Sequence, residues 1–322
     1  MKTVLVTGAA GFIGSKTSEV LLKRGYRVVA VDNFSDDLYD PKFKEEHVGS
    51  LVKDNNFILY RVDICDKESL RGIFDKEKPS FVVHLAAKAN TRNAVENPRD
   101  YIEVNINGTL NIFELSKEFK IENIVIASSS SVYGNSDQIP WKEDEVADRP
   151  LSPYGMTKRS DEILAYTYHH NFGLNVTCLR YFNAYGENNR PDLVPYLWGM
   201  AILNDEEIEI SGDGSRKRDY TYVEDIASGT IAAMEKPLGF EIINLGNSEP
   251  VSLKELLSVF EKVTGKTAKV KTRPLNKSSV ESTYADISKA RNLLGWEPTT
   301  SIEEGITKLV SWLTDNRLKK VL

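Results

Sequence analysis

Thr3–Val4–Leu5–Val6–Thr7–Gly8–Ala9–Ala10–Gly11–Phe12–Ile13–Gly14 is the stretch whose reading decides the fold. The β-branched run Thr3–Thr7 reads as a strand, the glycines at 8, 11 and 14 break it, and a helix over Ser15–Arg24 follows up to the stop signal Gly25. A strand that turns on glycines into a helix leaves backbone N–H groups pointing outward. Without β-carbons around them, a pyrophosphate can come close. A turn that merely needs glycine is the plainer reading of such a triplet. Asp32 closes the next strand, where a carboxylate accepts hydrogen bonds from an adenosine ribose and repels a 2′-phosphate, which favours NAD over NADP.

Outward from this stretch, Val28–Asp32, Phe57–Asp63, Phe81–Leu85, Asn123–Ser128 and Asn175–Arg180 read as strands, with amphipathic helical stretches such as Asn105–Phe119 between them. That alternation predicts an α/β fold with a parallel, doubly wound sheet. After about residue 180 it loosens: Pro191 and Pro195 appear, and Gly212–Asp213–Gly214 precedes a basic cluster. The expected division is a dinucleotide-binding domain over 1–178, rejoined by a later segment near 216–240, with 179–322 forming mainly a smaller lobe.

At 322 residues, 41% of them hydrophobic and 27% charged, the chain can bury a large core. A net charge of −6 with dispersed acids argues against nucleic acid as a partner. Cys65 and Cys178 lie far apart in apolar runs, so both read as buried free thiols, and no spacing suggests a metal site. There is no room for a signal peptide before the first strand and no run of about 18 apolar residues. The expected compartment is the cytoplasm, with no membrane partner.

Tyr154 and Lys158 stand in Ser152–Pro153–Tyr154–Gly155–Met156–Thr157–Lys158, where Ser152 can cap a helix that begins at Pro153. Four residues apart, they share a helix face, and an ammonium beside a phenol stabilises the phenolate as a general base. The fifth strand ends just before them in Ser128–Ser129–Ser130–Ser131–Val132–Tyr133–Gly134, whose hydroxyls could hold a sugar oxygen. Asp63 and His84–Leu85–Ala86–Ala87 end two further strands on the same edge. The plainer reading of Asp63 is an N-cap for a helix over Lys67–Phe74, and of His84 a satisfied core histidine.

These motifs, with Arg180–Tyr181–Phe182–Asn183, Arg218–Asp219–Tyr220 and Gly295–Trp296–Glu297–Pro298, resemble those of extended short-chain dehydrogenases/reductases, the NAD-dependent epimerases and dehydratases of nucleotide sugars. The resemblance implies a Rossmann-type sheet with a smaller C-terminal substrate-binding lobe. It implies NAD along Gly8, Gly11, Phe12, Ile13, Gly14, Asp32, Asn33, Asp63, Ile64, Leu85, Ala86, Ala87, Asn105 and Tyr181. Tyr154 becomes the base, Lys158 the ribose clamp and Ser129 the catalytic hydroxyl. A UDP-sugar would meet Arg92, Ser129, Ser130, Ser131, Tyr154, Asn183, Arg190, Leu193 and the pyrophosphate clamp Arg218. Related dehydratases carry carboxylates where Ser130 and Ser131 stand, so C4 epimerisation is the expected reaction. Thr91–Pro98 and Arg190–Pro191–Asp192 look like segments of UDP-glucuronate 4-epimerases, with Arg92 and Arg190 able to meet a C6 carboxylate; surface ion pairs with Glu96 and Asp192 are the plainer reading of both. Asn183 points instead to UDP-glucose/UDP-galactose, and an N-acetylhexosamine is a further alternative. A dinucleotide-binding regulator without turnover is the alternative from another class. The resemblance also implies a homodimer formed by helices near Asn105–Phe119 and Pro153–His170, and it notes Ser278–Ser279 where relatives often have Gly-Asp.

Overall fold

A computed structural model describes residues 1–275 and 280–321, the side chains of 316–321 excepted; Ser278–Ser279 lies outside the described residues. β1 (Thr3–Thr7), β2 (Arg27–Val31), β3 (Phe57–Tyr60), β4 (Phe81–His84), β5 (Asn123–Ser129) and β6 (Val176–Tyr181) form the first part of the chain. Between them run α1 (Phe12–Lys23), α2 (Lys42–Val48), α3 (Lys67–Glu77), α4 (Thr91–Glu96), α5 (Pro98–Tyr101), α6 (Gly108–Glu118) and α7 (Pro153–Phe172). The remainder holds β7 (Asn183–Tyr185), α8 (Val194–Leu203), β8 (Glu207–Ser211), β9 (Lys217–Arg218), β10 (Tyr220–Tyr222) and α9 (Val223–Glu235). It ends with β11 (Phe240–Leu245), β12 (Val251–Ser252), α10 (Leu253–Thr264), β13 (Lys269–Arg273) and α11 (Ile302–Val321).

The main sheet has seven strands in the order β11-β6-β5-β4-β1-β2-β3, all paired parallel. Alternate residues feed its two faces: Val4, Val6, Val28, Ala30, Val83 and Val125 pack on one, and Leu5, Val29, Val31, Val82, Ile124 and Ile126 on the other. Period-two burial on both sides explains why these strands are continuous β-branched runs. The strand order reverses between β1 and β4, and the crevice beyond their carboxyl ends is where such sheets receive ligands.

A third core of Trp198, Ile208, Tyr220, Leu256, Phe260 and Leu309 sits outside the sheet, and Phe12 from the start of α1 reaches into it. Burying such a ring contributes about 1.5–3 kcal/mol, so the glycine turn is anchored to the smaller lobe by its own neighbour.

Three local readings change. β3 stops at Tyr60, leaving Asp63 in the loop beyond it. The helix expected from Asn105 starts earlier: α5 runs through a π-helical segment, Ile102–Asn107, into α6. The chain returns to the sheet through α9 and the edge strand β11, which does not show as a strand in the sequence because Glu241 interrupts it and its first half is only part-buried. Both cysteines are free, Cys178 buried and Cys65 only partly so.

Candidate active site

The glycine turn is fixed by close backbone approach. Gly8 has φ +66°, and a β-carbon on it would lie 2.7 Å from Ala86 N; one on Gly14 would lie 2.0 Å from the Gly8 oxygen. The Leu85–Ala86–Ala87 segment therefore presses against the turn, and the Ala86 N–H donates to Thr7 Oγ1 at 3.2 Å. Around Gly11 a β-carbon would meet the Gly8 oxygen at 3.1 Å and nothing else within 4 Å among the described residues, which leaves the open space an approaching pyrophosphate needs. Gly11 caps α1 without a side-chain bond, so the first-turn N–H groups face that space. Ile13 packs between the cores of sheet and lobe.

Asp32 is buried just beyond β2. Its Oδ2 accepts from Ala10 N at 3.1 Å, and its Oδ1 from Phe34 N at 2.9 Å and Lys44 Nζ at 3.2 Å. Lys44, from α2, was missed in the sequence because only packing brings that helix to the end of β2. Asn33 Nδ2 donates to Asp63 Oδ2 at 2.8 Å. Asp63 Oδ1 accepts from Cys65 N, and the cap of α3 is Asp66, which accepts from Ser69 N; the N-cap role read for Asp63 belongs to Asp66. Ile64 is core, packed under Gly108.

The tyrosine helix meets the serine strand end through Gly155, where a β-carbon would lie 2.7 Å from the Ser131 oxygen. Ser152 caps α7 on Gly155 N at 3.2 Å, as its position predicts. Ser129 Oγ accepts from Ser131 N at 3.1 Å, which winds Ser130–Tyr133 into a 3₁₀ turn directly under the start of α7. Tyr154 is half-buried, edge-on to Tyr101 with ring centres 6.4 Å apart. Lys158 is buried, and its Nζ donates to Asp161 Oδ2 at 3.3 Å. Tyr181 spans the core, its hydroxyl paired with Thr230 at 2.8 Å.

Beneath the pair lies a closed polar layer. Asn105 is fully buried; it bonds Lys88 N at 2.8 Å, Lys88 O at 3.1 Å and Thr157 Oγ1 at 2.9 Å, so it ties the segment after Ala87 to α7. Thr7 Oγ1 meets His84 Nδ1 at 2.6 Å and His84 Nε2 meets Thr109 Oγ1 at 2.9 Å, while Thr109 donates to the Asn105 carbonyl. That directionality assigns the Nε2–H tautomer. Burial, reinforced by Lys158, pushes the imidazole down to about 3, so His84 is a neutral, satisfied core histidine. Glu162 holds Arg180 in two hydrogen bonds, 2.8 and 2.9 Å, with Ser128 at 2.6 Å and Arg159 at 2.8 Å.

On the opposite side, Arg190 forms a two-point pair with Asp192 at 3.0 and 2.7 Å, and Asn90 Nδ2 joins at 3.2 Å. The pair is mostly buried, unlike a surface ion pair, and Tyr154 and Tyr39 are close enough to bear on the guanidinium charge. Leu193 donates its N–H to the Arg190 oxygen and caps α8. Arg92 instead lies on the exposed side of α4. Asn183 is exposed on β7 and its Oδ1 accepts from Thr283 at 3.2 Å. The Arg218 guanidinium rests on the carbonyls of Lys217, Val280 and Glu281 at 2.7–3.1 Å, and burial lowers its pKa. The neighbouring Asp219 ties that region together by accepting from Asn247, Ser248 and Ala285 backbone N–H groups.

A doubly wound sheet whose first turn is built for a pyrophosphate, with a Tyr-x-x-x-Lys helix beside a serine strand end, defines the short-chain dehydrogenase/reductase class. Residues 5–309 match the family model described as GDP-mannose 4,6 dehydratase, and the chain belongs to this family of NAD-dependent epimerases and dehydratases. The UDP-glucuronate 4-epimerase of Thermodesulfobacterium geofontis is 46% identical over 97% of this chain and 96% of that protein. The solved UDP-glucuronic acid 4-epimerase of Bacillus cereus, in complex with UDP-glucuronic acid and NAD, superposes with a TM-score of 0.92 at 36% identity, over 98% of this chain and 99% of that one. The UDP-glucose 4-epimerase of Thermotoga maritima, with UDP-glucose, gives 0.90 at 33% identity over the same shares. No helix among the described residues is long and apolar enough to cross a membrane, and no group of three His, Cys, Asp or Glu among them could hold a metal ion.

Proposed function

We propose that the chain is an NAD-dependent UDP-sugar 4-epimerase that interconverts UDP-glucuronate and UDP-galacturonate. The observation that carries the substrate is Arg190, a mostly buried guanidinium within electrostatic reach of the Tyr154 phenol that already binds one carboxylate with two hydrogen bonds. Such a fork suits a second carboxylate, at C6 of a uronate. The first-turn N–H groups of α1, Asp32 and Lys158 would hold the cofactor, which when bound supplies the hydride acceptor for C4. Tyr154 takes the C4 hydroxyl proton, Ser129 holds the same oxygen, and Ser130 and Ser131 bound the sugar. With hydroxyls there instead of carboxylates, no group is at hand to carry protons for loss of water, which favours epimerisation over the dehydration in the family's description. Asn183, Leu193 and Arg218 line the UDP side, in a smaller lobe over most of 179–322, with cofactor binding left to 1–178 and the returning segment.

Asn183 and the likeness to the Thermotoga enzyme favour a second reading, a neutral-sugar 4-epimerase. A regulator without turnover would not need Tyr154, Lys158 and Ser129 together. We also read the protein as a cytoplasmic homodimer, with exposed Ile163 and Tyr166 of α7 and Ile102 beside it as the apolar face of the pair. The test is direct competition among UDP-glucuronate, UDP-glucose and UDP-N-acetylglucosamine, resolving the epimers. Preferred formation of UDP-galacturonate is expected; preference for a neutral sugar would return the assignment to the second reading. Tyr154→Phe should lower turnover by orders of magnitude, and retention of more than about a tenth of the rate would remove its role as base.

A further inference from the structure

One carboxylate next to the proposed base has no part in the chemistry above. Asp161 follows Lys158 by one turn of α7, and both side chains are almost fully buried, at 1% and 3% exposure. Its Oδ2 accepts from the Lys158 ammonium at 3.3 Å, while its Oδ1 makes no close hydrogen bond among the described residues and has only the Thr109 hydroxyl nearby. A buried charge with one weakly held oxygen is expensive unless another charge holds it, and here that charge is the lysine the tyrosine depends on.

Lys158 is the cation that faces Asp161. On α7, Glu162 is held by Arg180 and Arg159, and its charge still pushes the Asp161 carboxyl up. From β4, His84 is neutral; from β6, burial pushes the Cys178 thiol up, so it too is neutral, and Arg180 belongs to Glu162. From α6 comes Thr109, which does not ionise and whose hydroxyl helps hold the carboxylate. Burial pushes the Asp161 carboxyl up, and the Lys158 ammonium at 3.3 Å pulls it back toward the charged form.

We propose that Asp161 is a positioning residue for Lys158: its carboxylate fixes the ammonium on the face of α7 below Tyr154 and offsets part of the charge that the phenol meets. This rests on the reading of Tyr154 as the base. Partial neutralisation makes the phenolate harder to form than beside a lone ammonium, so removing the carboxylate should ease its formation.

Asp161→Asn tests this by two readouts. Tyrosinate absorbance against pH, taken as the difference from the matching Tyr154→Phe protein, should rise about one pH unit lower than in wild type. The acid limb of the kcat/KM profile should move down by a similar amount. Coincident wild-type and Asp161→Asn curves in both readouts would overturn the proposal. Asp161→Ser removes the same charge and is read the same way if the amide does not fold; failure of both to fold would assign the carboxylate to folding and also overturn it. Absence of any epimerisation by wild type, with the absorbance shift present, would defeat the functional reading and leave the charge coupling standing.

Discussion

Arg180 and Arg190 each hold a carboxylate with two hydrogen bonds, and the two pairs differ in almost everything else. Arg180–Glu162 is 1% and 0% exposed and shares its acid with Ser128 and Arg159, so every lone pair is spoken for. Arg190–Asp192 is 15% and 24% exposed and lies within electrostatic reach of the tyrosine. Burial sets the difference: ions sealed from water must keep their partners, while a pair at the edge of a crevice can exchange one carboxylate for another. The first pair braces the tyrosine helix against β5 and β6, and the second, on the function proposed above, would meet the ligand.

The sharpest way to break this contrast is Glu162→Gln, which leaves the Arg180 charge buried with only a neutral amide. A loss of about 3–5 kcal/mol in urea unfolding is expected at neutral pH. Burial alone would raise the Glu162 carboxyl, but the hydrogen bonds and charge of Arg180, then Ser128 and Arg159, bring it below its ordinary 4.5. A folded pKa below the unfolded one gives stability that is full above 4.5 and lost as pH falls through the folded value. The gap between variant and wild type should therefore narrow in acid; a gap that widens would contradict the assignment.

Arg190→Ala should leave the fold intact and reduce kcat/KM for UDP-glucuronate about 100-fold, or ~2.7 kcal/mol, with less than about a tenfold loss on UDP-glucose. A 4-keto uronate is a β-keto acid, so a freed carboxylate should also break away in part as CO2 and leave a UDP-4-keto-pentose. Equal losses on both sugars would show that Arg190 does not read the carboxylate.

Lys44–Asp32, at 13% and 4% exposure, lies between the two pairs and tests where the line falls. NAD should bind at least about tenfold tighter than NADP, or ~1.4 kcal/mol, because Asp32 faces a 2′-phosphate. Lys44 softens that repulsion, so Lys44→Ala should raise the ratio several-fold in a titration of both cofactors; a fall in the ratio would place Lys44 elsewhere than at the ribose. The smallest effect belongs to Asp192→Asn, which keeps hydrogen-bonding atoms beside a guanidinium that water still reaches, so thermal or urea unfolding should shift by about 1–2 kcal/mol, less than for Glu162→Gln. A loss like that of Glu162→Gln would make the second pair structural too.

What could be read in advance was local. Strands β1, β2, β4, β5 and β6 were visible because burial on both faces demands apolar runs rich in β-branched residues, and the edge strand β3 showed through its apolar run Phe57–Tyr60. The glycine turn and the Ser152-capped helix were visible because caps and turns are set within a few residues. β11 was hidden because an edge strand that is half-exposed tolerates Glu241. Asp63 looked like a cap because spacing cannot tell it from Asp66, and Asn105 looked like a helix start because the π-helical turn that carries it has no sequence period of its own.

The sequence by itself determined the parallel sheet, the phosphate-binding turn and the placing of Tyr154 and Lys158 on one face, since each follows from contacts between residues near in the chain. Only the tertiary structure decided which charges meet. Lys44 reaches Asp32, Arg180 is sealed on Glu162, Arg190 is paired with Asp192, and Phe12 turns away from the crevice into the core of the smaller lobe. Ion pairs, unlike helix faces, have no period along the chain: their partners are chosen by the packing of distant elements and by how much water that packing leaves between them.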